Sequence, residues 1–144
     1  MTSRIDQPLG GAIVTVLGGS GFFGRHLAQQ LLGRGARLRI ASRRPERAHR
    51  LKPLANLGQV HFIACDITRP ETVAPALAGA DMVVNLVGAF AGDLDAVQGT
   101  GAGRIGALAR EAGVRRFVHV SAIGADAGSS VGYARSKGEG EQAV

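Results

Sequence analysis

A chain of 144 residues is long enough for one domain with a real core, and its 45% hydrophobic content excludes an unfolded tract. No apolar run approaches the ~20 residues needed to cross a bilayer, and Met1–Pro8 lacks the apolar centre of a secretory signal. Net charge is +6, carried almost wholly by arginine, with Lys52 and Lys137 the only lysines. No aromatic side chains interleave with those arginines, so no nucleic acid is expected as a partner; the surplus reads as the Arg, Ala and Gly usage of a GC-rich genome.

These features place the chain in a bacterial cytoplasm, with peripheral attachment to the inner membrane left open. The single cysteine, Cys65, excludes an intramolecular disulfide and fits a reducing compartment.

Strand-like and helix-like segments alternate throughout. Ala12–Leu17 is predicted as the first strand. Phe22–Gly33 follows as a helix whose Phe23, Leu27, Gln30 and Leu31 mark one face, with Gly35 beyond its end. Leu38–Ala41 is the second strand, then Pro45 to about Leu51 has a helix start, interrupted by Pro53. Val60–Ala64 alternates as a third strand, and Glu71–Leu77 is a short helix. Met82–Val87 is nearly all apolar, as in a parallel strand covered on both faces. Leu94–Ala112 is predicted as one long helical region despite glycines at 99, 101, 103 and 106. Phe117–Val120 is the fifth strand, and a last helix runs from about Val131 to the end.

Between the first strand and first helix lies Gly18-Gly19-Ser20-Gly21-Phe22-Phe23-Gly24. Gly18 permits a tight turn off the strand, Gly21 lets a pyrophosphate approach the backbone, and Gly24 lets the helix pack against the sheet. The free N–H groups of the helix start then face the phosphates, with the helix dipole favouring their charge. With this turn after the first strand, the alternation implies an α/β fold: a Rossmann-like, doubly wound parallel sheet of order 3-2-1-4-5, forming one NAD(P)-binding domain over residues 1–144. No sixth strand or substrate lobe is visible before Val144, so the chain is expected to be truncated or a minimal domain.

The glycine turn, Cys65-Asp66-Ile67, Asn85-Leu86-Val87-Gly88 and Tyr133-Ala134-Arg135-Ser136-Lys137 together resemble the extended or atypical branch of the short-chain dehydrogenase/reductase superfamily, which includes NAD-dependent epimerases and dehydratases. Segments 51–60 and 117–121 are more particularly similar to the group formed by the nucleotide-binding accessory subunit of respiratory complex I and its bacterial relatives. The resemblance covers about Ala12 to Val144. It implies a dinucleotide cofactor, with respiratory-complex subunits or a second copy of the chain as protein partners.

Arg43 and Arg44 stand about 20 residues beyond the turn, where a dinucleotide site places an acid on the adenine ribose or an arginine on a 2′-phosphate. No Asp or Glu occupies Ile40–Arg44. Guanidinium groups suit phosphate, and Ser42 can donate another hydrogen bond, so NADP(H) is favoured over NAD(H); a solvated basic helix start is the plainer alternative. Asp66, with Ile67 beside it, falls where the superfamily has an aspartate near the adenine ring, and it equally suits a turn before Thr68-Arg69-Pro70. Leu86, Val87 and Gly88 end the fourth strand at the switch point, where Gly88 would let backbone lie against a ribose and the other two read equally as core.

Tyr133 and Lys137 are four apart and so share one helix face. In the family this tyrosine is the general acid/base of hydride transfer to a carbonyl, and the lysine lowers its pKa and holds the nicotinamide ribose. Catalytic members add a hydroxyl near the end of the fifth strand; here Ser121 comes one residue before that position, held by Ala122. The set Tyr133, Lys137 and Ser121 therefore reads as an incomplete catalytic triad. Two functions stay open: a domain that holds its dinucleotide mainly for structure, and an active NAD(P)-dependent oxidoreductase, epimerase or dehydratase. His26, His49, His61 and His119 have no metal-ligand spacing, so no metal is expected, and His119 reads as a satisfied core histidine.

Overall fold

The computed structural model describes residues 8–144; residues 1–7, and with them most of the stretch judged not to be a signal, lie outside the described residues. Five strands, β1 (Ile13–Leu17), β2 (Arg37–Ser42), β3 (Val60–Ala64), β4 (Met82–Asn85) and β5 (Arg116–His119), form one parallel sheet. Its order is β3-β2-β1-β4-β5, as expected for a Rossmann-like fold. The helices are α1 (Phe22–Gly33), α2 (Pro70–Leu77), α3 (Leu94–Gln98), α4 (Thr100–Glu111) and α5 (Gly132–Ala143), with a 3-10 segment at Pro45–Leu54.

Strand side chains alternate faces, so the apolar strands feed two cores. On one face Val14, Val16, Leu38 and Ile40 pack with Ala28 and Leu32 of α1 and with Ala48 and Leu51 of the 3-10 segment. On the other, Leu17, Ala41 and Val83 meet Val73, Ala76 and Leu77 of α2 and Ile105 and Ala109 of α4. Phe117 of β5 joins this second core. The opposite side of this edge strand is bare, with Val118 52% exposed.

Register aligns the strand ends where the site forms. Leu17 pairs with Ala41 on one side and Asn85 on the other, Ser42 pairs with Ala64, and Asn85 pairs with His119. The glycine turn and the loops after β2, β3 and β4 therefore leave from one rim.

Several elements differ from the sequence expectations by one residue at an end, and three differ in ways that have a physical cause. β4 stops at Asn85, not Val87, because the Asn85 carboxamide oxygen accepts the Val87 N–H at 3.0 Å and draws the chain off the ladder. The 94–112 region divides at Gly99. Asp93 caps α3 by accepting the Ala96 N–H at 3.0 Å, and the Asp95 carboxylate accepts both the N–H and the hydroxyl of Thr100 at the start of α4. Two carboxylates that satisfy successive helix starts outweigh continuity through a glycine-rich run. The Pro45 segment is a 3-10 helix that accommodates Pro53.

Glycines let α3, α4 and α5 approach closely. A Cβ on Gly140 would run into the Gln98 carbonyl, and one on Gly103 would lie 2.7 Å from the Ala143 Cβ. Gly33, at the end of α1, has open space and an ordinary φ. Urea unfolding should separate the two kinds of glycine. Gly140→Ala should destabilise by about 1–3 kcal/mol through overpacking, whereas Gly33→Ala should stabilise by about 0.5–1 kcal/mol through reduced unfolded-state entropy. Equal effects from the two would contradict the packing described.

Candidate functional site

The turn after β1 is built on backbone contacts. Gly18 has φ +76°, and a Cβ there would press on the Val87 side chain and N–H at 3.2 Å. Its N–H donates to the Ala41 carbonyl at 2.8 Å. A Cβ on Gly24 would come within 2.6 Å of the Gly19 α-carbon and carbonyl oxygen, so α1 rests on the backbone of its own turn. Gly21 is the N-cap of α1, extended at φ −79°, and a Cβ on it would meet only the Gly18 carbonyl, at 3.7 Å. No side chain caps this helix start and no acid lies in its first turn. Its first N–H groups lack intrahelical acceptors as a matter of helix geometry.

A cleft of about 810 Å³ opens beside Gly18, Ser20 and Gly21. One wall carries Ser42, Arg43, Arg44 and Arg47, and the floor carries Cys65, Asp66 and Ile67. Leu86, Val87 and Gly88 form the far wall. Ser42 is buried, and its hydroxyl oxygen accepts the Arg44 N–H at 3.2 Å, which shapes the loop that presents the arginines. Arg50 reaches back from the 3-10 segment and donates to the Ser20 carbonyl at 3.4 Å. The Asp66 carboxylate accepts the Thr68 hydroxyl at 2.7 Å and the Thr68 N–H at 3.0 Å. Those bonds, then the charges of Arg43 and Arg69, hold its pKa below the usual carboxylate range. Asp66 thus has the turn role and also lies in the cleft. Burial pushes the Cys65 thiol up, which keeps it a neutral packing group.

Beyond the far wall, α5 brings up Lys137. It is 4% exposed, and its ammonium donates to the Val120 carbonyl at 3.0 Å. The same Nζ lies 3.9 Å from where a Gly88 Cβ would be. Burial lowers its pKa, with Glu141 opposing. The Tyr133 ring stacks on Phe90, centroids 5.0 Å apart. The Ser121 hydroxyl oxygen is buried without a hydrogen-bond partner. His119 is not the satisfied core histidine expected: Nδ1 faces the Asn85 amide nitrogen at 3.2 Å, but Nε2 is buried and unpartnered.

The structure thus brings Gly18, Ser20, Gly21, Ser42, Arg43, Arg44, Asp66, Ile67, Leu86, Val87 and Gly88 around one cleft. Gly19 is buried against Val16 and Ile40 and lines no part of it; Phe22 and Phe23 project outward, 81% and 58% exposed. Lys137, Tyr133 and Ser121 do not line it; Lys137 reaches the Gly88 side, and Tyr133 stacks on Phe90. Sequence reasoning missed Arg47, Arg50 and Gln98. Arg47 follows Arg43 by four residues and so carried a faint signal. Gln98 carried none: wholly buried in α3, it accepts the Ala89 N–H at 3.0 Å and donates to the Ser136 hydroxyl at 2.9 Å. It ties the far wall to the helix of Tyr133 and Lys137.

A five-stranded parallel sheet of this order, with a glycine turn opening an uncapped helix onto a cleft at the switch point, defines a Rossmann-like dinucleotide-binding domain. The chain belongs to the NAD(P)H-binding family, whose model matches residues 18–140, and it is similar in sequence to a mitochondrial NADH-ubiquinone oxidoreductase subunit. It is 32% identical over 142 residues to the mitochondrial NADH-ubiquinone oxidoreductase 40 kDa subunit of Neurospora crassa, covering 94% of this chain and 37% of that protein. It is 31% identical over 136 residues to a ceramide reductase of Caulobacter vibrioides, covering 92% of this chain and 41% of that one. The chain therefore spans well under half the length of these relatives. A short-chain type dehydrogenase/reductase from Mycobacterium ulcerans shares the fold with a TM-score of 0.77 at 19% identity, over 93% of this chain and 59% of that one. Among the described residues no helix is long and apolar enough to cross a membrane.

Gln98→Ala would leave the Ala89 N–H without its acceptor, at about 1–3 kcal/mol for an unsatisfied buried group, and would cut the link to Ser136, whose hydroxyl still donates to the Tyr133 carbonyl. Hydrogen exchange should show Ala89 and the first turns of α5 opening faster, with Leu17 and Ile40 unchanged. Unaltered protection at Ala89 would remove Gln98 as the link.

Proposed function

We propose that this chain binds NADP(H) and holds it mainly as a structural element, in the manner suggested by its relation to the complex I accessory subunit. The observation that carries the reading is the end of β2: it offers Arg43 and Arg44 to the cleft, supplemented by Arg47, and no acid that would accept from a ribose 2′-hydroxyl. Guanidinium groups there would hold a 2′-phosphate, with Ser42 shaping the loop.

The cleft fits the rest of a dinucleotide on its own terms. The open space beside Gly21 is what a pyrophosphate needs, and the backbone of Gly18, Gly19, Ser20 and Gly21, with the N–H groups of Phe22 and Phe23, would surround it. Asp66 keeps acceptor capacity for an adenine amino group after its two bonds from Thr68, and Ile67, Leu86 and Val87 supply apolar flanks. Gly88, Lys137 and Tyr133 would meet the nicotinamide ribose. A bound nicotinamide supplies hydride chemistry; in the structural reading this chain makes no use of it. Respiratory-complex subunits or a second copy of the chain would be its protein partners, at the cytoplasmic side of a bacterial inner membrane.

The second reading is an active NAD(P)-dependent oxidoreductase, epimerase or dehydratase. The buried Lys137 ammonium beside Gly88, on the helix of Tyr133, favours it, as does the name of the Caulobacter relative. Tyr133 would then give or take the proton of a carbonyl oxygen, with Lys137 stabilising the phenolate and Ser121 assisting the oxygen.

Calorimetry with both cofactors tests the first reading. NADPH should bind more tightly than NADH, and Arg43→Ala with Arg44→Ala should remove roughly 10–100-fold of NADPH affinity while leaving NADH nearly unchanged, as expected for lost charged hydrogen bonds. Equal affinity for the two would overturn the NADP(H) assignment. NADPH consumption with carbonyl substrates, abolished in Tyr133→Phe, would replace the structural reading with the enzymatic one.

A further inference from the structure

His119 pairs in register with Asn85 at the switch point, and the two side chains meet 3.2 Å apart. The orientation of the Asn85 amide is not free. Its oxygen accepts the Val87 N–H at 3.0 Å, and a backbone N–H can only donate. The Asn85 nitrogen therefore faces His119, and since an amide nitrogen only donates, His119 Nδ1 must accept. An imidazole that accepts at Nδ1 carries its proton on Nε2 and is neutral. The buried Nε2–H accordingly lacks a partner.

We propose that His119 is a positioning residue, whose neutral, Nε2-protonated imidazole orients Asn85 and through it fixes the Leu86–Gly88 wall of the cleft. A proton on Nδ1 would set N–H against N–H. Asn85 would then have to turn its oxygen to His119 and withdraw the acceptor from Val87, or break from His119. Either change frees the wall against which a dinucleotide would lie.

The surroundings favour the neutral form. Burial lowers the His119 pKa, the Lys137 ammonium lowers it further, and the Glu141 carboxylate opposes them from the same helix. On the sheet side the neighbour is the uncharged Asn85, and the α4 residues packed on this face, Ile105 and Ala109, are apolar. The sign follows. The neutral imidazole predominates above the free-imidazole value of about 6.5. The ordered wall is complete there and is lost as pH falls through the lower folded-state value.

The inference about dinucleotide affinity rests on the function proposed above, whereas the tautomer does not, so two measurements separate them. Nitrogen-15 NMR of the histidine-labelled full chain without ligand should show His119 as the Nε2–H tautomer at pH 7.5. An Nδ1–H tautomer or a protonated ring would overturn the proposal whatever the protein binds. NADPH affinity should then be followed from pH 7.5 to 5 in the wild type and in His119→Asn. Asparagine offers an acceptor near the Nδ1 position and does not titrate. The phosphate's own titration is common to both proteins, so their difference isolates His119. The wild type should lose up to about tenfold per pH unit relative to H119N once below the His119 pKa, the limit for one coupled proton. His119→Ala should bind weakly at every pH. In Asn85→Asp the carboxylate can accept from both Val87 and a protonated His119, so the loss at low pH should disappear. Parallel wild-type and H119N profiles would refute the proposal. No NADPH binding at any pH, with the Nε2–H tautomer present, would instead refute the function and leave the positioning of Val87 standing.

Discussion

The close contact of Gly24 with the backbone of Gly19 decides how the rest of the molecule can be used. Because no side chain stands between them, the first turn of α1 begins immediately past the C-terminal end of β1, and its unpaired N–H groups open onto the cleft. The turn is locked from behind by Gly18, whose N–H donates to Ala41 and whose bare α-carbon admits Val87 and Leu86. Parallel register then does the remaining placement. With Leu17 between Ala41 and Asn85, anything carried just past β2 or β4 must flank the turn.

The chain's arginines divide into those the fold consumes and those it leaves to the cleft. Arg39, half-buried, donates to the carbonyls of Ala76 and Ala78 and so closes the C-terminal end of α2. Arg115 pairs with Asp81, which also accepts the Ile13 N–H and thereby ties β5's approach to the start of β1. Arg69 pairs with Glu71 in solvent, where such pairs contribute little. Arg43, Arg44 and Arg47 enter no ion pair among the described residues and line the cleft together. This arginine wall stands next to an uncapped helix start, with Asp66 and Asp93 the acids of the same cleft.

Much of this was legible in the sequence because the relevant signals are local. The glycine turn, the alternation of strands and helices, and the sheet order follow from spacing within about thirty residues. The cations after β2 and the acid after β3 could be named because each directly follows its strand. What escaped depended on partners far away in the chain. Gln98 reads as an ordinary helix residue until α5, some 38 positions later, supplies Ser136. Arg50 reads as a solvated residue until the 3-10 segment folds back 30 positions onto Ser20. His119 read as a generic core residue because nothing near it announces Asn85, 34 positions earlier. The break at Gly99 is a local miss: the 94–112 region was expected to run as one helix despite its glycines, whereas the decisive information lay in the carboxylates at 93 and 95.

The two sides of the cleft are held by different physics. The turn side is secured by main-chain contacts that tolerate no side chain at Gly18 or Gly24. The far wall is secured by two neutral carboxamides, Asn85 holding the Val87 N–H and Gln98 holding the Ala89 N–H. Gly88 lies between these tethers, and its lack of a Cβ keeps Gln98 Oε1 and Lys137 Nζ close, at 3.5 and 3.9 Å from the position a Cβ would take. Each carboxamide also reaches away from the wall, Asn85 toward β5 and Gln98 toward α5. The wall is consequently the joint at which β4, β5, α3 and α5 are held in common. A dinucleotide seated against it would be gripped at one end by a rigid turn. At the other it would brace an assembly of amide bonds that depends on its neighbours for order. Under the function proposed above, a bound cofactor would stabilise the C-terminal half of the domain even where no substrate is turned over.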